Sequence, residues 1–236
     1  MEKQTQSLPS AQLPKYPHIA IAILSSGKHV GLLYRLTDDS PRLLHLADHL
    51  KLLDQALLDQ ALAGSDYAWF ECVGFQNTEA RDFASWLQKI YRSNVNRVRY
   101  GFNYWPGACF DSDGSWNPSA DGIGLTCATF VMDMFHSYGY QILDTATWKK
   151  RPEDQAFFSW VIQHLAGRAP EGYIQSQRDA LAAAVRFHPL EVASCAARYD
   201  AEPIKFEQAI SMASRMDLEL VARRGPWAID GSVLTD

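Results

Sequence analysis

The sequence predicts an α+β fold, because its β-type runs come first and its helical spacing comes after them. Four β-like runs, residues 18–24, 29–36, 42–46 and 67–73, are followed by four helical patterns between 152 and 216. No internal repeat or low-complexity segment interrupts that order. At 236 residues the chain can bury a sizeable core as one domain, or as one domain with an appended piece.

Residues 1–15 are polar with two prolines and read as a flexible arm without the apolar stretch of a secretory signal. The run 18–24 is β-rich, and Ser25-Ser26-Gly27-Lys28 marks a turn into 29–36. Thr37-Asp38-Asp39-Ser40-Pro41 breaks the chain again before the third run. From 47 to 63 the apolar spacing of Leu50, Leu53, Leu57 and Leu58 predicts a helix ending at Gly64. After the fourth strand, Asn77 or Thr78 caps a helix striped by Phe83, Trp86, Leu87, Ile90 and Tyr91. Residues 100–124 are rich in aromatic, Gly and Asp residues and form a long loop, a length that usually serves function.

That loop runs into a helix beginning near Cys127, with Thr126 as N-cap and Gly139 as the stop. Pro152 fits the N1 position of a helix running to about Ala166, with Gly167 after it. Helical runs at 173–186, 189–199 and 205–216 follow, then a short strand at 217–221. The division this suggests is an arm at 1–15, a core at 16–148 and a mainly helical extension at 149–236.

Composition narrows the function. A hydrophobic share of 47% with 21% charged residues is that of a soluble globular protein. A net charge of −5 without a basic run points away from nucleic acid. No apolar stretch approaches the ~20 residues of a membrane span. Four scattered cysteines, Cys72, Cys109, Cys127 and Cys195, form no Cys-x-x-Cys pair, so neither zinc nor a disulfide framework is expected. Free thiols in a cytoplasmic protein without a cofactor are the simplest reading.

The candidate chemistry centres on Cys127. At a helix N-terminus, unpaired N–H groups and the macrodipole favour negative charge, which lowers a thiol pKa, especially beside a histidine. The alternative is a small buried cysteine packing the start of a helix. A nucleophile needs a base, and the base needs a third group to orient it. His29 opens the second strand, Gly31 leaves room on the same face, and His45 lies on the next strand. His18 is the runner-up base, and Asp48 is a second candidate orienter. Cys109 is better read as an inert loop thiol, and Asp111-Ser112-Asp113-Gly114-Ser115 as a solvated turn, since it lacks a calcium loop's later Glu.

These residues carry a resemblance. Gly124-Leu125-Thr126-Cys127-Ala128-Thr129-Phe130-Val131 resembles the Asp-Cys-Ser-Gly-hydrophobic helix start of NlpC-type papain-like cysteine hydrolases. His29-Val30-Gly31-Leu32 resembles their histidine strand, and Leu44-His45-Leu46-Ala47 the strand that completes the triad. The histidine strands precede the cysteine, which is similar to the circularly permuted branch of peptidases, amidases and acyltransferases. Thr126 stands where the ordinary family often has Asp.

The resemblance covers residues 18–140. It implies a small antiparallel sheet packed on the cysteine-bearing helix, with Cys127 as nucleophile, His29 as base and His45 as orienter. Tyr100, Tyr104, Trp105 and Thr126 would border the substrate, a small peptide, amide or lipid ester. Nothing in the family maps onto the helical residues 150–216, which read as a lid or substrate-selecting addition. A non-catalytic binding module on the same fold is the alternative function.

Overall fold

The computed structural model describes residues 6–8, 18–36, 41–56, 66–74, 77–117 and 121–224. Strands β1 (Gln6–Leu8), β2 (Ile19–Leu24), β3 (Val30–Tyr34), β4 (Arg42–Asp48), β5 (Lys51–Ala56) and β6 (Tyr67–Glu71) form one antiparallel sheet in the order β1-β6-β2-β3-β4-β5. The helices are α1 (Asn77–Asn94), α2 (Cys127–Ser137), α3 (Asp154–Leu165), α4 (Glu171–Ala180), α5 (Pro189–Arg198) and α6 (Phe206–Arg224). The architecture is α+β.

Strand alternation divides the sheet into two faces. Ile19, Ile21, Ile23, Val30, Leu32, Tyr34, Leu44, Leu46 and Leu52 point into the large core that the helices complete. Ala20, Ala22, Leu33, Leu43, Tyr67 and Trp69 form a smaller cluster on the other face. Helix α2 is the centre of the large core: every residue from Cys127 to Phe135 is buried, as expected of a helix apolar on all sides. It packs on β3 and β4, and α5 packs on β2, β3 and α2. The C-terminal helices therefore share one core with the sheet.

Several sequence expectations are corrected. The helix expected at 47–63 is replaced, in its described part, by β5 paired in a hairpin with β4; residues 57–63 lie outside the described residues. Cross-strand pairing outweighs the leucine spacing. Asp54 accepts hydrogen bonds from Arg42 Nε (2.8 Å) and Tyr34 Oη (3.0 Å), which ties β5 across β4 to β3. The hairpin turns through Leu50 at φ 58°. Within the expected arm, residues 6–8 pair with β6, and the remainder of 1–15 lies outside the described residues.

The strand expected at 217–221 continues α6 instead, because Met216 and Leu220 extend its buried stripe. Helix α3 begins at Asp154, so Pro152 sits in the preceding turn rather than at N1. Helix α4 covers Glu171–Ala180, and residues 184–188 lead to α5 outside any helix or strand.

The long loop is fixed from two sides. The Asn94 side chain, at the end of α1, donates to Gly114 O (2.7 Å) and accepts from Trp116 N–H (2.6 Å). From α4, Gln177 accepts from the N–H groups of Phe102 (2.9 Å) and Asn103 (3.1 Å) and donates to Gly122 O (2.7 Å). Tyr173 donates to Tyr100 O at 2.8 Å. This clamp explains Gly124, where a Cβ would lie 2.1 Å from the Tyr173 hydroxyl.

Candidate active site

The site lies where the C-terminal ends of β2 and β4 meet the starts of β3 and β6. Register places Leu24 opposite Tyr67 and Ile23 opposite Val30, and the β2–β3 turn is closed by Leu24 N–H donating to His29 O (3.0 Å). His29 therefore stands at the mouth of β3. His45 lies across from Gly31, where an added Cβ would come 2.7 Å from His45 Cβ and 2.9 Å from Leu44 O. Only a glycine leaves the room that lets the two imidazoles meet.

They meet edge to face, with centroids 5.0 Å apart, and His29 Nε2 is 2.7 Å from His45 Nδ1. His45 Nε2 is 2.9 Å from Gln55 Oε1 on β5. Burial and the neighbouring His45 push His29 down to about 3. His45 is pushed down mainly by burial and also by Lys51, against the Gln55 hydrogen bond. Both rings are neutral near pH 7, so each carries one N–H. Gln55 presents its oxygen, so His45 Nε2–H donates to it and Nδ1 accepts from His29 Nε2–H. His29 is left with an unprotonated Nδ1, the tautomer a base requires.

Cys127 is the first residue of α2. Its cap is reciprocal: Thr129 N–H donates to Thr126 Oγ1 (3.2 Å), and Thr126 N–H donates to Thr129 Oγ1 (2.8 Å). The thiol is 6% exposed, and burial pushes its pKa up. The N–H groups of Val30, Ala128 and Cys127 itself, together with Arg186, oppose that shift. The lowered pKa expected from the helix start is thus reversed in the ligand-free chain, because desolvation outweighs the donors. The Val30 N–H joins the two halves of the site, since it acts on the sulfur and belongs to the residue after His29. Among the described residues no hydrogen bond joins the thiol to His29.

The other expected residues divide into two groups. Tyr100 is at the site, where Cys127, Asp48 and Arg186 all act on its phenol, which burial keeps protonated. Thr126 is engaged in the helix cap. Tyr104 packs on Phe187 and beside Asp133, a carboxylate that accepts from Gly107 N–H (3.1 Å) and that burial raises to about 6. Trp105 is 63% exposed and donates to Asn103 Oδ1. Asp48 does not orient His29; it pairs with His164 (2.6 Å) and Arg168 (3.0 Å), which brings α3 to this end of the sheet. His18 lies at the opposite end of β2, near Arg35 O.

Sequence reasoning missed Gln55, Tyr67 and Arg186. Gln55 was hidden by the helical reading of 47–63. Tyr67 opens β6, with its ring 6.4 Å from that of His29, and Cys127 acts on its phenol. Arg186 comes from outside the segment that carried the resemblance. The other thiols, Cys72, Cys109 and Cys195, are buried, and burial pushes Cys195 to about 12 and Cys109 higher still. Among the described residues, no group of three or more His, Cys, Asp or Glu could hold a metal ion, and no helix is long and apolar enough to cross a membrane. No family model, curated protein or solved structure matches the chain.

Proposed function

We propose that this protein is a cysteine-dependent hydrolase or acyltransferase of small amides or esters, built on a permuted papain-like plan. The observation that carries the reading is the chain Gln55–His45–His29, which leaves His29 Nδ1 unprotonated next to Val30, whose backbone N–H favours the Cys127 thiolate. In the reaction, His29 Nδ1 takes the thiol proton as the sulfur attacks the carbonyl carbon. The tetrahedral intermediate collapses with cleavage of the C–N or C–O bond. The leaving nitrogen or oxygen takes the proton back from His29, and a thioester remains on Cys127. Water or another acceptor, deprotonated by His29, then releases the acyl group. N–H groups at the start of α2 are the natural donors to the oxyanion.

One observation favours a second reading, a binding module that keeps the pocket without the chemistry. Thiol and imidazoles are all held neutral, and no hydrogen bond links sulfur to ring. Unliganded catalytic contacts are often loose and tighten on the substrate. The test is reaction with p-nitrophenyl acetate near pH 7, read as a p-nitrophenol burst and by peptide mapping. The catalytic reading expects an acetyl group on Cys127 and no burst in Cys127→Ala. A burst that survives Cys127→Ala rejects it by assigning the acylation to another residue, and no acylation at all rejects it in favour of the binding module.

A further inference from the structure

No Asp, Glu, Lys or Arg stands between Asp154 and Arg168, and the rings of Phe157, Trp160 and His164 recur along α3 at spacings that share one helix face. The three rings stack. Phe157 and Trp160 lie 6.0 Å apart between centroids at 26°, and Trp160 and His164 lie 4.9 Å apart at 20°. Both ends of this ladder are held. The Arg186 guanidinium lies 3.9 Å from the centroid of the Phe157 ring. At the other end, His164 Nε2 is 2.6 Å from Asp48 Oδ1, and Arg168 donates to Asp48 Oδ2 (3.0 Å). A single exposed tryptophan is ordinary, but Trp160 is 50% exposed while fixed between two other rings.

The ladder reaches the candidate nucleophile through Tyr100. Tyr100 and Leu125 form a parallel bridge, in which Gly101 N–H donates to Leu125 O (3.1 Å) and Leu125 N–H donates to Arg99 O (2.9 Å). Leu125 is two residues before Cys127, a Cα separation of at most ~7 Å. The Tyr100 ring in turn meets His164 edge to face, with centroids 6.2 Å apart. Backbone bridge, ring contact and stack thus run unbroken from the start of α2 to Trp160 at the surface.

We propose that the substrate of this site carries an uncharged aromatic ring that rests on the Phe157–Trp160–His164 ladder. The inference rests on the reading of Cys127 as the nucleophile. Stacked rings turn their edges outward, and a ring edge is the positive part of the aromatic quadrupole. Such edges favour the face of a second ring over an alkyl group of the same size. The stretch of α3 around them carries no charge, and Arg168 is already paired with Asp48, so the group that docks there is neutral. Because the ladder is stacked beforehand, docking freezes few rotamers.

The test compares two reagents at the same sulfur in the full chain at about pH 9, where the thiolate is present. N-phenethylchloroacetamide and N-(cyclohexylethyl)chloroacetamide each form a sulfur–carbon bond with loss of chloride, and they differ only in the distant ring. The ratio of their rates at Cys127 is therefore independent of the thiol pKa. Glutathione gives the ratio for a free thiol. The expected result is a phenyl:cyclohexyl ratio at Cys127 about threefold or more above that of glutathione, the scale of one aromatic pair. Apolar burial alone would favour the cyclohexyl arm, with its greater hydrocarbon surface. Trp160→Leu should bring the ratio down to the free-thiol value, and Trp160→Phe should retain part of it.

A wild-type ratio at or below that of glutathione overturns the proposal, and needs no variant to fold. A raised ratio that persists in a folded Trp160→Leu protein overturns it as well. So does modification of Cys127 by iodoacetamide but by neither chloroacetamide, since the arm then does not fit the site. Failure of iodoacetamide too, in the folded protein, rejects the nucleophile itself, a result distinct from the other three.

Discussion

Gln55 decides which nitrogen of His29 can act. Its oxygen sets the proton on His45 Nε2, and that ring in turn sets the proton on His29 Nε2. Nitrogen-15 chemical shifts at pH 7 should therefore report both rings as neutral Nε2–H tautomers. A protonated Nδ1 on His29 would remove its capacity as a base. The same burial that keeps the rings neutral raises the thiol, so alkylation of Cys127 by iodoacetamide in the ligand-free protein should climb only above the ordinary cysteine range, ~8.5. An alkylation rate that is already flat between pH 6 and 8 would show a preformed thiolate instead.

Asp133, buried and raised to about 6, has the opposite consequence for stability. The folded carboxyl holds its proton in the window from about 3.9 to 6 where the unfolded one has lost it. The folded state thus binds more protons, and stability falls as pH rises through that window, by at most roughly 3 kcal/mol. Asp133→Asn keeps an acceptor for Gly107 and removes the ionisation. Its melting temperature relative to wild type should be higher at pH 7.5 than at pH 4, and an identical difference at both pH values would contradict the assignment.

Among the elements, the clamp from α4 to the long loop is the most exposed to a single change. Gln177 is fully buried, and its oxygen accepts from two backbone N–H groups. Gln177→Leu leaves both donors unsatisfied at about 1–3 kcal/mol each. The expected outcome is a melting point lowered by several degrees and faster amide exchange at Phe102 and Asn103. Unchanged exchange there would show that the loop holds itself. The sequence made the local devices readable: the Thr126 cap, the Gly31 gap between His29 and His45, and the strand–turn–strand of β2 and β3 all follow from residue type and spacing. It did not disclose β5, because Leu50, Leu53 and Leu57 fit a helical stripe and the pairing that overrides it depends on Arg42, Tyr34 and Asp54 converging from three strands. Nor did it disclose Arg186 or the Gln177 clamp, whose partners lie tens of residues away and share no spacing with them.

For the whole molecule, the consequence is one core in which the C-terminal helices help build the site. Helix α5 packs on α2 and shares β3 with it, and α3 reaches the β4–β5 turn through Asp48 and His164. Cys127 and His29–His45–Gln55 thus come from two separate stretches of the chain, joined where Val30, the residue after His29, acts on the sulfur. The most direct measurement of the central claim is the rate at which p-nitrophenyl acetate acylates Cys127 near pH 7 in wild type, His29→Ala and His45→Ala, each checked for an unchanged fold. A positioned base supplies ~10²–10⁴-fold. The account predicts a loss of that order in His29→Ala and a smaller loss in His45→Ala, because the second ring acts only through the first. Equal acylation rates in all three proteins would contradict it.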